Sequence, residues 1–169
     1  MNATDTDDET VSPDEQARFQ HLGELLHGGT TLGELAGMQP EHYEMLYASA
    51  HQLYGAARYE DAEKLFTFLC IRNPREQRFV MGLGACQQVQ GKWEEAMTLY
   101  ACLVPRDIEN PVAPFHICEC LVGLGQVAEA VDVLQDLVER MHRPEHVELK
   151  QRASAMLALL KMQLEKAPK

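Results

Sequence analysis

The feature that most limits what this chain can become is a phrase repeated at a fixed interval. YEDAEKLF (Tyr59 to Phe66), WEEAMTLY (Trp93 to Tyr100) and VAEAVDVL (Val127 to Leu134) each begin 34 residues after the last. The register extends outward without slippage. Ala62, Ala96 and Ala130 coincide, as do Ala50, Gly84 and Cys118, then Phe66, Tyr100 and Leu134, then Leu69, Leu103 and Leu137. Small residues at two fixed places let two helices cross closely, and large apolar residues at helical spacing fill the rest of the seam. One pair of helices made from 34 residues cannot bury its own apolar face, so several pairs must stack.

A period of 34, a small residue at both crossings and an aromatic residue late in the second helix together resemble the tetratricopeptide repeat. The expected fold is an all-α superhelix of three helix pairs, at about 43–76, 77–110 and 111–142 within a stack running from 39 to 142. Gly91 and Gly125 stand just before the second helix of their pairs, whereas the first turn has Ala57 there and Gly55 two residues early. Asn73-Pro74-Arg75-Glu76 reads as an N-cap, a first-turn proline and a capping-box glutamate, and Asn110-Pro111 repeats the device. Arg143-Pro144 opens a C-terminal capping helix over 143–169, with Leu149, Ala153, Met156 and Leu160 on one face. Ahead of the repeats, 12–38 is expected to be a helical segment. Ser12-Pro13-Asp14-Glu15 caps a helix carrying Phe19, Leu22 and Leu26 along one side, Gly28-Gly29 ends it, and Thr31-Leu32-Gly33-Glu34 starts a short further turn. Residues 1–11 are acidic and polar and are expected to be a disordered tail.

The chain has 169 residues, 46% of them hydrophobic, enough for one domain with a core. Its formal charge of −11 argues against direct nucleic-acid binding, which needs a basic face. No apolar run approaches the roughly 18 residues that span a bilayer. MNATDTDDETVSPDE carries six acidic residues and no Lys or Arg, the reverse of a signal peptide's opening, so a cytoplasmic protein is expected. The five cysteines are odd in number, form no CxxC pair and have no zinc-ligand spacing. Cys86 and Cys120 recur with the repeat, as small buried residues do. His142 and His146 are four apart, but Pro144 between them marks a helix start, and no metal site is expected. Glu60-Asp61 and Glu94-Glu95 suit the positive end of the second helices. There is no phosphate loop, HExxH motif or nucleophile elbow, so neither an enzyme nor a cofactor is expected.

A stack of this kind works by binding, with its first helices lining a groove. The residues facing it fall at the second, fifth, ninth and twelfth places of each unit. These are Glu44, Tyr47, His51 and Tyr54, then Arg78, Met81, Ala85 and Gln88, then Val112, Phe115, Glu119 and Val122. A clamp for a C-terminal carboxylate needs Lys, Asn and Arg at the fifth and ninth places, and none is there. An aromatic and apolar groove suits an extended, proline-containing peptide, because proline lowers the ordering cost and packs flat on Tyr or Phe. Tyr59, opening a second helix, is either core packing or groove edge.

At this point the residues resemble a family, the class II chaperones of bacterial type III secretion. LHGGTT (Leu26 to Thr31) looks like the family's glycine-broken N-terminal segment, YEDAEKLFTFLC (Tyr59 to Cys70) its first repeat, RFVMGLGACQQ (Arg78 to Gln88) its second and PFHICECL (Pro114 to Leu121) its third. The resemblance covers most of the chain. It implies a cytoplasmic bacterial chaperone that holds hydrophobic translocator proteins, one or two of them, by a short Pro-x-Leu-x-x-Pro segment laid in the groove. Tyr47, Tyr54, Tyr59, Phe115 and His116 match positions associated with that groove or its rim. It further implies homodimers formed through the N-terminal helices, here Phe19, Leu22 and Leu26, and in some members partnership with a transcription activator. A general tetratricopeptide adaptor or regulatory partner and a needle-subunit chaperone are the alternatives.

Overall fold

The computed structural model describes residues 20–21, 24–25 and 28–166. The acidic 1–11 segment, the Ser12 capping box and the Phe19, Leu22 and Leu26 stripe lie outside the described residues. From Leu32 onward the elements are α1 (Leu32–Leu35), α2 (Pro40–Gly55), α3 (Tyr59–Arg72), α4 (Gln77–Val89), α5 (Trp93–Ala101), α6 (Val112–Gly123), α7 (Val127–Arg140) and α8 (Val147–Lys166), with single 3-10 turns at Val104–Arg106 and Pro144–His146. The pairs α2/α3, α4/α5 and α6/α7 are the three repeats, and each helix packs chiefly on its neighbours in the chain. This is the tetratricopeptide superhelix that the 34-residue period demands.

The repeat positions are spatially equivalent. Ala62, Ala96 and Ala130 are each fully buried, facing crossings where Ala50, Gly84 and Cys118 are buried too. Phe66, Tyr100 and Leu134 fill the seam behind them, followed by Leu69, Leu103 and Leu137. Gly84 shows how close the approach is, since a β-carbon there would stand 2.7 Å from the Tyr100 ring. Burial pushes the thiols of Cys86 and Cys118 up to about 11 and about 12, so they act as apolar filling rather than as nucleophiles.

The turn between paired helices needs a left-handed residue. Gly91 and Gly125 take it at φ 75° and 77°, and Ala57 is forced into the same region at φ 58°. The shifted glycine of the first repeat therefore leaves the turn geometry unchanged. The capping expectations need one correction. Asn73 ends α3 rather than starting α4, and its Oδ1 accepts from the Arg75 N–H at 3.2 Å, while Glu76 caps α4 by accepting from the Arg78 N–H. Asn110 makes the same local turn with the Val112 N–H at 3.0 Å. Short side-chain-to-backbone turns compete with capping at such residues, and proline in the turn favours them. The α5 helix is only nine residues long because Pro105, which has no N–H and would clash one turn back, cannot continue it. At the other end the short turn read from Thr31-Leu32-Gly33-Glu34 is α1, and it carries a capping box in which Thr31 N–H donates to the Glu34 carboxylate at 2.6 Å.

The α8 helix closes the stack. Ala153 and Leu160 are buried against the third pair, with Leu149 and Met156 beside them. No helix among the described residues is long and apolar enough to cross a membrane.

Candidate functional site

The first helices α2, α4 and α6 lie side by side, tied by contacts across successive repeats. Arg78 on α4 makes two hydrogen bonds to the Glu44 carboxylate on α2, at 3.3 and 2.7 Å, and the Tyr47 and Phe79 rings stand 5.7 Å apart. Gln88 on α4 donates to Glu119 on α6 at 2.9 Å. The places two, five, nine and twelve form the accessible face of this row. All the groove residues named from the sequence reach solvent at least partly, with one exception.

The exception is Phe115, 2% exposed and part of the core with Cys118, Leu121 and Ala130. The expectation that it faces the groove is corrected by what lies next to it. The α8 helix docks where a fourth repeat would, and the Arg152 guanidinium covers the Phe115 ring at 5.0 Å. Place five of the last repeat is thus closed by the cap, whereas Tyr47 and Met81 at the same place remain half-buried.

The first-repeat end is aromatic. Tyr47 meets His51 edge-on at 4.5 Å and Phe66 at 6.0 Å, and the Arg78 guanidinium lies 4.9 Å over its ring. Hydrogen bonds from Arg78 to Glu44 and Glu76 raise the guanidinium's pKa further, so its charge is constant. Tyr54 meets Tyr59 edge-to-face at 5.3 Å, and burial pushes the Tyr54 phenol up, leaving it neutral at physiological pH. Tyr59 thus packs on Tyr54 while remaining half-buried. Met81 and Ala85, both half-buried, continue the apolar floor into the second repeat.

The third-repeat end is polar, and its basis escaped the sequence reading. Tyr100, fully buried on α5, stacks on His116 at 5.0 Å and donates its hydroxyl to Gln88 Oε1 at 2.9 Å. Glu119 Oε2 accepts from Gln88 Nε2 at 2.9 Å and lies 2.8 Å from His116 Nδ1. Arg152 Nη2 stands 3.7 Å from Glu119 Oε1. Burial works to raise the Glu119 carboxyl, but the hydrogen bonds from His116 and Gln88 and the Arg152 charge outweigh it, so its pKa lies below the usual carboxylate range. Tyr100 was legible as the repeat partner of Phe66. The signal for its further role is the hydroxyl itself, because a buried tyrosine needs a partner. Val122 lies half-buried beyond this cluster, packed on the third-repeat core.

Other places look less like sites. A cleft of 340 Å³ between the α6 start and the α7 end is lined by Ile108, Pro111, Arg140 and Arg143, and by His142 and His146. Among the described residues no group of three or more His, Cys, Asp or Glu is placed to hold a metal ion.

No protein-family model matches the chain. Individual proteins do. Low calcium response locus protein H of Yersinia pseudotuberculosis is 38% identical over 144 residues, covering 83% of this chain and 84% of that protein. The type III secretion chaperone SycD of Yersinia enterocolitica, in complex with a peptide of the translocator YopD, superposes with a TM-score of 0.68 at 38% identity, covering 75% of this chain and 97% of the other. SycD has also been solved as an alternative dimer. PcrH of Pseudomonas aeruginosa, bound to the chaperone binding region of PopD, gives a TM-score of 0.69 at 34% identity over 75% of this chain and 96% of the other. With likenesses of 34–38% identity that cover 75–83% of its length, the chain belongs to the translocator chaperones of bacterial type III secretion.

Proposed function

We propose that the inner face of α2, α4 and α6 holds an extended segment of a hydrophobic translocator in the bacterial cytoplasm. The observation that carries this is the accessible row of Tyr47, Tyr54, Met81 and Ala85 on adjacent helices. Half-buried tyrosines offer wide contact area while giving up only two torsions each. A segment of the Pro-x-Leu-x-x-Pro kind suits that surface, since its prolines are already extended and pack flat on aromatic rings. The peptide seen with SycD comes from the translocator YopD, PcrH holds the chaperone binding region of PopD, and cargo of the YopD class is proposed for this chain. The excess of 26 acidic over 15 basic residues keeps the complex soluble while the cargo's apolar segments await export. Phe115 supports this surface from behind. The chain's part is binding rather than catalysis.

The test is capture of co-expressed translocator by Tyr47→Ala/Tyr54→Ala. Removing two anchoring aromatics is expected to cost about 2 kcal/mol or more, roughly thirtyfold in affinity. Undiminished capture by a double variant of normal helicity would remove the groove from the proposal. We also propose a homodimer built on Phe19, Leu22 and Leu26.

A further inference from the structure

We propose that Glu119 selects cargo by gripping a basic side chain, so that the segment held in the groove carries a lysine or arginine beside its apolar residues. This rests on the groove reading above and adds to it the chemistry of one contact.

The starting point is how the carboxylate is held. Its Oε2 already has two partners, Gln88 Nε2 at 2.9 Å and His116 Nδ1 at 2.8 Å. Gln88 is itself fixed by the hydroxyl of fully buried Tyr100, on whose ring His116 is stacked. Three side chains from three helices thus leave Glu119 little freedom. Among the described residues its other oxygen, Oε1, meets only Arg152, at 3.7 Å, which is beyond hydrogen-bond length. The Arg152 side chain is 60% exposed, against 26% for Glu119. An arginine seated over the Phe115 ring at 5.0 Å, and no closer to the carboxylate than 3.7 Å, leaves that oxygen able to accept a nearer partner.

The groove's other carboxylate cannot serve. Glu44 is engaged by Arg78 through two hydrogen bonds, and Arg78 is held a second time by Glu76. Between them lie Tyr47, His51, Tyr54, Met81 and Ala85, none of them a carboxylate. The groove is therefore aromatic at its first-repeat end and has one under-partnered anionic oxygen at its third-repeat end. A cation on the cargo fits that oxygen, and the chain's net charge of −11 favours its approach. A cargo carboxylate at the same place would be repelled. A backbone N–H could also reach Oε1, but every peptide has one, so it selects nothing. Because Glu119 is already ordered, the side-chain entropy that weakens ordinary surface pairs is largely absent on the chaperone's side.

The experiment uses the full chain and fluorescein-labelled twelve-residue peptides. Each contains one Pro-x-Leu-x-x-Pro core in an Ala/Ser background, with a single lysine, norleucine or glutamate moved through every non-core position. Affinities are read by fluorescence anisotropy at low salt. At one position the lysine peptide is expected to bind about fivefold more tightly than its norleucine twin, and the glutamate peptide more weakly than both. In Glu119→Gln, which keeps acceptors for Gln88 and His116, that lysine-to-norleucine ratio is expected to fall to about one. Helical circular dichroism checks that the variant is folded. Should the ratio be near one at every position in the wild-type chain, or persist in Glu119→Gln, this inference is overturned while the groove reading stands. If no peptide binds the wild-type chain, the groove reading fails and takes this inference with it.

Discussion

Replacing Ala57 by glycine is expected to stabilise the stack, against the usual rule that glycine weakens a helical protein. Ala57 sits at φ 58°, where Gly91 and Gly125 occupy the equivalent turns at 75° and 77°. A β-carbon in that region costs roughly 1–2 kcal/mol. Glycine returns part of this, about 0.4–1 kcal/mol, through the greater freedom of its unfolded chain. Ala57 is exposed, so no packing is lost. The net gain is about 0.5–1 kcal/mol. For a urea dependence of about 2 kcal/mol per molar, the unfolding midpoint should rise by roughly 0.3–0.5 M, read by far-ultraviolet circular dichroism. The other repeats supply the control, because Gly91→Ala should lower the midpoint by a similar amount. Gly55 gives a second control. It lies in the last turn of α2 with open space around it, so Gly55→Ala should add about 0.5–1 kcal/mol and combine with Ala57→Gly. A midpoint that falls in Ala57→Gly, or a Gly91→Ala variant as stable as wild type, would refute the argument that φ at this turn sets the balance.

Three further outcomes follow from the same structure. Gly84→Ala improves helix propensity by up to about 1 kcal/mol but drives a β-carbon to 2.7 Å from a buried ring whose hydroxyl is pinned by Gln88, so a net loss of about 1–2 kcal/mol is expected in urea unfolding. The Glu119 carboxyl has a depressed pKa in the fold, so its contribution is complete above the ordinary value of 4.5 and is lost as pH falls below it. Wild type should therefore lose stability more steeply than Glu119→Gln on that acid limb, measured as urea midpoint against pH. Leu22→Glu is expected to yield monomers, seen as a halved mass by light scattering, and an unchanged mass would remove the proposed homodimer.

How far the sequence carried the description depended on the reach of each interaction. The helix pairs were legible because Ala62, Ala96 and Ala130 report contacts within one repeat, where the period is enough to identify partners. The exposure of the residues from Glu44 to Gln88 was legible for the same reason, since a place on a helix fixes which way it faces. Phe115 failed because its surroundings come from α8, whose crossing angle no repeat position specifies. Arg152 was missed on the same ground. Asn73 and Asn110 were placed in the right region with the wrong role, because a side-chain turn and an N-cap use the same residue types. The polar cluster needed coordinates, for it joins α4, α5, α6 and α8 through atoms rather than through spacing.

A chain whose helices touch chiefly their immediate neighbours lacks the cross-bracing of an ordinary globule, and its ends can loosen without disturbing its middle. A ligand laid along α2, α4 and α6 would touch all three pairs at once. Cargo would then act as a splint, supplying the long-range contacts the empty chaperone lacks. Protection of each protein would be mutual, and an unloaded chaperone would be marked out for proteolysis by its own slack ends.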